Sequence, residues 1–133
     1  MADLFPPASP EHEVWQVLRE FNDAFARNDA DGFFKHIDEH ITTLTPASPY
    51  RVEGIQQDRE EFEYSLRLGR TRVGYFQELQ PYVQVFGEAA LATYYSRGTY
   101  GPDAKSAYLK ETDVLVKRDG VWKVVHIHIS GTG

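Results

Sequence analysis

The order of helical and strand patterns along the chain is the feature that most restricts its fold. Helical spacing of apolar residues occurs only before about residue 72, where one short β-branched run at 41–45 interrupts it. The apolar segments after that point read as strands. A block of helices followed by a block of strands is typical of an α+β domain with segregated elements. We therefore predict three helices packed on a mostly antiparallel sheet.

The helices are predicted from their start signals and apolar stripes. Ser9-Pro10-Glu11 combines a capping serine, a proline at the first helical position and an acid in the first turn, which is typical of a helix start. A second, short helix is predicted over 30–37 and a third over 55–69. Residues 1–8 are predicted to form a loose N-terminal arm, because Pro6 and Pro7 block regular structure.

Strands are predicted for the apolar runs of the second half. The first of these runs contains Pro81, which indicates an edge strand or a bulge because proline cannot donate to a strand ladder. Asp119-Gly120 is a hairpin signal between the last two runs. The predicted strands are 73–87, 89–100, 107–118 and 120–130.

Composition and charge restrict the function classes. At 133 residues the chain is predicted to form one domain over 9–131. A net charge of −6 with dispersed basic residues argues against nucleic acid as a partner. The absence of cysteine favours a cytoplasmic location, and no apolar stretch predicts a membrane span or a secretion signal. No cofactor motif is found, so no cofactor is predicted.

Two histidines near the end of the chain raise the question of a metal site, an acid/base pair or a structural contact. His126 and His128 are two residues apart on a predicted strand, so they share a face and lie roughly 6.6–7 Å apart along it. Zinc needs at least one further ligand, which His36 or His40 would supply only through the tertiary fold. We predict no metal and a structural role at a subunit interface. The opposite face of the strand is predicted to carry Lys123, Val125, Ile127 and Ile129.

Three stretches carry a resemblance to a known family. They are VEGI at 52–55, KETDVLVKRDGVWKVVH at 110–126 and HIHISG at 126–131. The chain resembles the association (hub) domain of calcium/calmodulin-dependent protein kinase II over roughly 12–131. That domain has the nuclear transport factor 2-like fold, which is shared with SnoaL-like cyclases and ketosteroid isomerases. The resemblance implies a curved sheet closed by helices into a cone, a pocket on the inner side, and a dimer formed through sheet faces.

The resemblance also implies an altered pocket. Hub domains have three pocket arginines at the positions of Ser96, Asp113 and Ile129, and all three are replaced here. An anionic ligand suited to those arginines is therefore not expected. Side chains alternate along a strand, so Tyr94 shares the pocket face with Ser96. Tyr95 and Arg97, which are also two residues apart, face the other way.

Asp113 is the candidate acid or base. An inward carboxyl in an apolar cavity has a raised pKa, which suits proton transfer. The comparison with ketosteroid isomerases is incomplete, because Thr45 stands at the position of their base and Phe21 at that of their tyrosine. The structural alternative is a carboxylate paired with a cation, and the three candidates for that cation are Arg97, Arg51 and Lys110.

These observations lead to one preferred function and two alternatives. We predict a homo-oligomeric small-molecule-binding or assembly domain with an apolar pocket and no assigned reaction. The alternatives are a SnoaL-like or ketosteroid-isomerase-like enzyme using Asp113 on a small hydrophobic carbonyl compound, and a ring-forming scaffold like the kinase hub. The predicted pocket residues are Phe25, Tyr64, Tyr94, Ser96, Asp113 and Ile129. The predicted dimer-interface residues are Tyr95, Arg97, His126 and His128.

Overall fold

A computed structural model describes residues 4–132 and contains three helices and six strands in that part of the chain. The helices are α1 (Pro10–Ala26), α2 (Ala30–Phe34) and α3 (Ile55–Arg67). The strands are β1 (Ile37–Leu44), β2 (Val52–Glu53), β3 (Val73–Phe86), β4 (Ala89–Tyr100), β5 (Lys105–Arg118) and β6 (Val121–Gly131). The three helices cover one face of a curled sheet, so the predicted α+β cone of the nuclear transport factor 2-like fold is confirmed.

The strands form one sheet in the order β2-β1-β6-β5-β4-β3. All neighbours are antiparallel except β1 and β6, which are parallel. We call the face covered by the helices the inner face and the opposite one the outer face. The two-residue strand β2, which was not predicted, pairs with β1 and leads directly into α3.

The start of α1 follows the predicted capping pattern. The Ser9 hydroxyl oxygen accepts a hydrogen bond from the His12 backbone N–H at 3.1 Å, and Pro10 begins the helix. The capped helix buries the stripe of Val14, Leu18 and Phe21 against the sheet. This burial anchors α1 over the inner face.

The predicted second helix is too long at its C-terminal end. The helix ends at Phe34, and Ile37 is the first residue of β1, where it pairs with Val124 of β6. The carbonyl of His36 accepts a hydrogen bond from the Val124 N–H at 2.9 Å. Sheet pairing therefore takes over from the local helical pattern within two residues.

Both turn signals of the second half are confirmed. Strand β3 is an edge strand, and its register shifts between Leu79 and Tyr82, on either side of Pro81. The hairpin between β5 and β6 has φ of 52° at Asp119 and 79° at Gly120. These left-handed values are those of the tight turns that match strand twist, and glycine adopts them at little cost.

A register shift in β6 overturns part of the predicted face assignment. The register with β5 shifts between Val114 and Leu115, which face His126 and Val124. The inner face therefore carries Trp122 and Val124 before the shift and Ile127 and Ile129 after it. The prediction that Lys123 and Val125 share a face with Ile127 is wrong, because an extra residue reverses the alternation at that point.

The predicted arm and the termini lie at the limit of the described residues. Residues 1–3 and 133 fall outside them. Phe5, within the predicted arm 1–8, packs edge-to-face on Trp15 of α1 with ring centroids 6.4 Å apart. No helix between residues 4 and 132 has the length and apolarity needed to cross a membrane.

Candidate functional site

A cavity of about 390 Å³ lies between the helices and the inner face of the sheet. Its volume falls in the usual range for small-molecule sites, roughly 300–1,000 Å³. α1 and α3 supply one side, and β3 to β6 supply the other. The loop 45–48 also lines it.

Aromatic rings form much of the cavity wall. Phe25 of α1 is central, with its ring centroid 5.5 Å from that of Phe76, 6.3 Å from that of Phe62 and 6.3 Å from that of Tyr100. Phe33 stacks on Phe62 at 5.1 Å. Rings packed in this way hold one another in place, so this wall is largely pre-formed.

A buried carboxyl pair lies at the sheet side of the cavity. The Tyr94 hydroxyl is 2.6 Å from Glu111 Oε2 and 2.7 Å from Asp113 Oδ2. The hydroxyl has one proton, so it can donate to one carboxyl and accept from the other. Accepting requires that carboxyl to be protonated. The geometry therefore indicates a pair that holds a proton and carries about one negative charge.

The electrostatics of the pair agree with its geometry. Burial raises the pKa of Asp113 well above its usual value, and the neighbouring Glu111 carboxyl raises it further. Burial also raises the pKa of Glu111. Burial and the charge of Asp113 keep the pKa of Tyr94 well above 10, so this side chain remains a neutral phenol.

Polar contacts continue from the pair toward α1 and the surface. Asn22 Nδ2 is 3.2 Å from both the Tyr94 hydroxyl oxygen and Glu78 Oε2. Arg19 Nε lies 3.5 Å from the same Glu78 oxygen. Only Glu111 of the carboxyl pair lines the cavity, and Asp113 lies behind it with no exposed surface. Glu111 is therefore the carboxyl of the pair that a ligand can reach.

A second acidic group enters the cavity from α3. Asp58 and Glu61 both line it. Burial raises the pKa of Asp58 to about 7, with a smaller contribution from Glu61. Asp58 Oδ2 is buried and has no hydrogen-bond partner within residues 4–132. The helix side of the cavity thus carries a carboxyl whose charge is costly in the empty site.

The predicted pocket residues are only partly brought together. Phe25, Ser96 and Ile129 line the cavity. Tyr94 and Asp113 do not line it, although they contact Glu111, which does.

Tyr64 lies on the solvent side of α3, with 52% of its surface exposed. Phe62, two residues earlier on the same helix, lines the cavity instead. Residues two apart on a helix point about 200° apart, so they cannot face the same wall.

Glu111 is the residue that sequence reasoning missed. It shares the inner face of β5 with Leu109 and Asp113, since strand side chains alternate. Once the resemblance had placed Asp113 inward, strand alternation was a sufficient signal for Glu111. Asp58 had no comparable signal, because it belongs to an acidic segment typical of a solvated helix face.

The predicted cation partners of Asp113 are wrong, and the third of them, Lys110, is exposed on the outer face of β5. Arg51 pairs with Glu53, with Nη2 2.7 Å from Oε2. Arg97 lies on the outer face, with its guanidinium 5.7 Å from the centre of the Tyr108 ring. Asp113 instead contacts Tyr94 and the second carboxyl of the pair.

The outer face carries the residues predicted for the interface. The Tyr95 and Tyr108 rings stack with centroids 5.7 Å apart. The His126 and His128 rings lie 6.4 Å apart, and His126 Nδ1 is 2.7 Å from the Thr42 hydroxyl oxygen. No group of three His, Asp or Glu residues between positions 4 and 132 is arranged to hold a metal ion.

Comparison with solved structures shows how widely this fold occurs. The hub of S. rosetta calcium/calmodulin-dependent protein kinase II superposes with a TM-score of 0.78 at 28% identity, over 96% of this chain and 100% of that one. A putative ketosteroid isomerase from Parabacteroides distasonis superposes with a TM-score of 0.77 at 20% identity, over 99% of this chain and 95% of that one. The second likeness, at its low identity, shows the fold alone.

Sequence comparison identifies the family. The calcium/calmodulin-dependent protein kinase type II alpha chain of Drosophila melanogaster is 32% identical over 126 residues, which is 90% of this chain. The match covers 23% of the Drosophila protein, so the chain spans about a quarter of the length of that relative. Residues 10–133 match the calcium/calmodulin dependent protein kinase II association domain, so the chain belongs to that family.

Proposed function

We propose that the protein is a self-associating domain that also holds a small molecule in its inner cavity. The observation that supports self-association is the outer face, where Tyr95, Arg97 and Tyr108 form a stacked group that none of the helices within residues 4–132 covers. Tyr and Arg are enriched where protein surfaces meet. Membership of an association-domain family supports the same proposal.

The proposed interface consists of this group and the histidine pair beside it. It comprises Tyr95, Arg97, His126 and His128, as predicted, with Tyr108 added. A two-fold dimer would bring the same patch of each subunit together. A ring built from such dimers, as a scaffold, is the larger assembly consistent with the family.

Native mass spectrometry of the purified protein tests both parts. We expect a subunit number of two or more, and a retained small molecule would appear as extra mass. Arg97→Glu is expected to lower the subunit number, and Arg67→Glu, an equal charge reversal on the exposed end of α3, is the matched control. A monomer in the unmodified protein, or equal behaviour of the two variants, would contradict the proposed interface.

An acid/base enzyme is the second candidate, and the buried carboxyl pair is the observation that favours it. The sequence features alone point to Asp113, but Glu111 is the member of the pair that lines the cavity. In this function the Glu111 carboxylate would take a proton from the carbon next to a carbonyl group and return it after the double bond has shifted. Asp113 and Tyr94 would set its protonation state.

Deuterium exchange tests the enzymatic candidate. A small β,γ-unsaturated cyclic ketone in D₂O is followed by proton NMR with and without the protein. Exchange next to the carbonyl should be accelerated by the wild type and abolished in Glu111→Gln and Asp113→Asn. Retained turnover in either variant, or a wild-type rate equal to the buffer rate, would exclude this candidate.

A further inference from the structure

The charge distribution of the cavity is one-sided. Three carboxyl groups line it, Asp58 and Glu61 from α3 and Glu111 from β5. None of the lining residues among positions 4–132 is Lys, Arg or His. The only other titratable lining group is Tyr100, and burial raises its pKa to about 12, which keeps it neutral. The cavity therefore has acidic groups and no basic counterpart.

The nearby cations are engaged elsewhere. Arg59 of α3 contacts Asp31 and Glu63 on the outside of the helix. Arg19 contacts Glu78 behind the carboxyl pair. Glu111 itself is only 6% exposed, so water screens its charge poorly. Neither of these arginines neutralises the negative potential inside the cavity.

The rest of the wall suits an apolar cation rather than a metal ion. Phe25, Phe62 and Phe76 present rings to the space between α1 and the sheet. Aromatic faces attract organic ammonium groups and bury the hydrocarbon attached to them. A hydrated metal ion would gain nothing from these rings.

We propose that the cavity binds a small organic amine in its ammonium form, with its apolar body against the phenylalanine rings and its nitrogen beside Asp58 and Glu111. This inference rests on the small-molecule part of the proposed function and specifies the ligand class. Carboxylate ligands are disfavoured, because no lining group would compensate their charge.

Proton release on binding is expected from the raised pKa of Asp58. The empty site holds Asp58 partly protonated near pH 7, because burial and Glu61 oppose its charge. A bound ammonium group favours the ionised form of Asp58 and Glu111. Affinity for the amine should therefore rise as the pH increases from about 6 to 8, and binding should release protons near pH 7.

Calorimetric titration of the protein with three matched probes tests the inference. The probes are 2-phenylethylammonium, 2-phenylethanol and 3-phenylpropanoate, which share a phenyl group and differ in charge. We expect the ammonium probe to bind at least about tenfold more tightly than the alcohol, as one charge-assisted hydrogen bond predicts. The carboxylate should bind more weakly than the alcohol.

Two variants test which carboxyl group binds the ammonium group of the probe. Asp58→Asn should lower the affinity for the ammonium probe about tenfold and remove most of the proton release on binding. The affinity for the alcohol should change less than threefold. Glu60→Gln, which removes an equal charge from the exposed side of α3, should leave all three probes unchanged. Far-ultraviolet circular dichroism of each variant confirms that the fold is retained.

The outcomes separate the two proposals. Equal binding of ammonium and alcohol, tighter binding of the carboxylate, or unchanged ammonium binding in Asp58→Asn would overturn the amine inference and leave the pocket proposal standing. Failure of all three probes to bind, together with no binding of the neutral dye Nile red, would overturn both.

Discussion

The two faces of the sheet are formed by the same strands but differ in their exposure to water. On β4 the adjacent residues Tyr94 and Tyr95 show the contrast. Tyr94 is 3% exposed and bridges two buried carboxyls, whereas Tyr95 stacks on Tyr108 at the surface. Buried polar groups of the inner face depend on partners within the protein, whereas water can serve those of the outer face.

This difference shows where changes in protonation will matter. Charge between the helices and the inner face is opposed by burial, so Asp58 of α3 and Glu111 and Asp113 of β5 have raised pKa values. Outer-face charges such as Arg97 remain in water, where their contribution to folding is small. The inner face should therefore control stability and its pH dependence, and the outer face should control association.

The largest expected contrast concerns neighbouring apolar residues of β5. Leu115 is fully buried on the inner face, and Val116 is half-buried. Leu115→Ala should lower the free energy of unfolding by about 3–5 kcal/mol through lost burial and a cavity. Val116→Ala should cost about 1 kcal/mol or less. Urea unfolding curves would contradict the two-face description if both variants lost the same stability.

The second contrast is a pH profile. Asp58 ionises near pH 4 in the unfolded chain and near pH 7 in the folded protein. Between these values the folded state keeps a proton that the unfolded state has lost, so stability falls as the pH rises from 4 to 7 and then levels off. Asp58→Asn should remove this fall in stability between pH 4 and 7.

We expect Asp58→Asn to match the wild type in stability near pH 4 and to be more stable by up to about 4 kcal/mol at pH 8, since the pKa of Asp58 rises to about 7 on folding and each tenfold in proton affinity corresponds to about 1.4 kcal/mol. Glu60→Gln, on the exposed side of α3, should show no such trend. Thermal unfolding at several pH values measures both. A constant difference across the pH range would show that Asp58 is not the titrating group.

The third contrast compares one hydroxyl on each face. Tyr94→Phe deletes the group between Glu111 and Asp113 and should cost about 1–3 kcal/mol, because it leaves buried polar atoms without a partner. Tyr95→Phe should cost less than about 0.5 kcal/mol. Equal costs in denaturant titrations would mean that water reaches the carboxyl pair.

The smallest effect on folding is expected at the outer face. Arg97→Ala should change the free energy of unfolding by no more than about 0.5 kcal/mol, because the residue is exposed. The same change should weaken self-association, which sedimentation velocity over a range of protein concentrations measures. If Arg97→Ala destabilised the subunit without altering self-association, Arg97 would contribute to folding stability rather than to the interface.

Local signals predicted the start of α1, the edge position of Pro81 and the Asp119-Gly120 turn, because each depends on interactions within a few residues. The resemblance to the hub family placed Ser96 and Asp113 on the inner face, and strand alternation then placed Tyr94 on the same side as Ser96. The prediction failed where an extra residue in β6 reversed the faces of Lys123 and Val125. Register depends on the partner strand, and the sequence of one strand does not contain it.

The family, the fold and the inward direction of Asp113 were therefore determined by the sequence alone. The tertiary structure alone decided that Glu111 reaches the cavity while Asp113 lies behind it, and that Asp58 of α3 enters from the opposite side. The physical reason is that strand alternation and helix capping act over a few residues, whereas a cavity is formed by elements far apart in sequence. The burial that raises the pKa of Asp58 exists only once α3 has packed over the sheet.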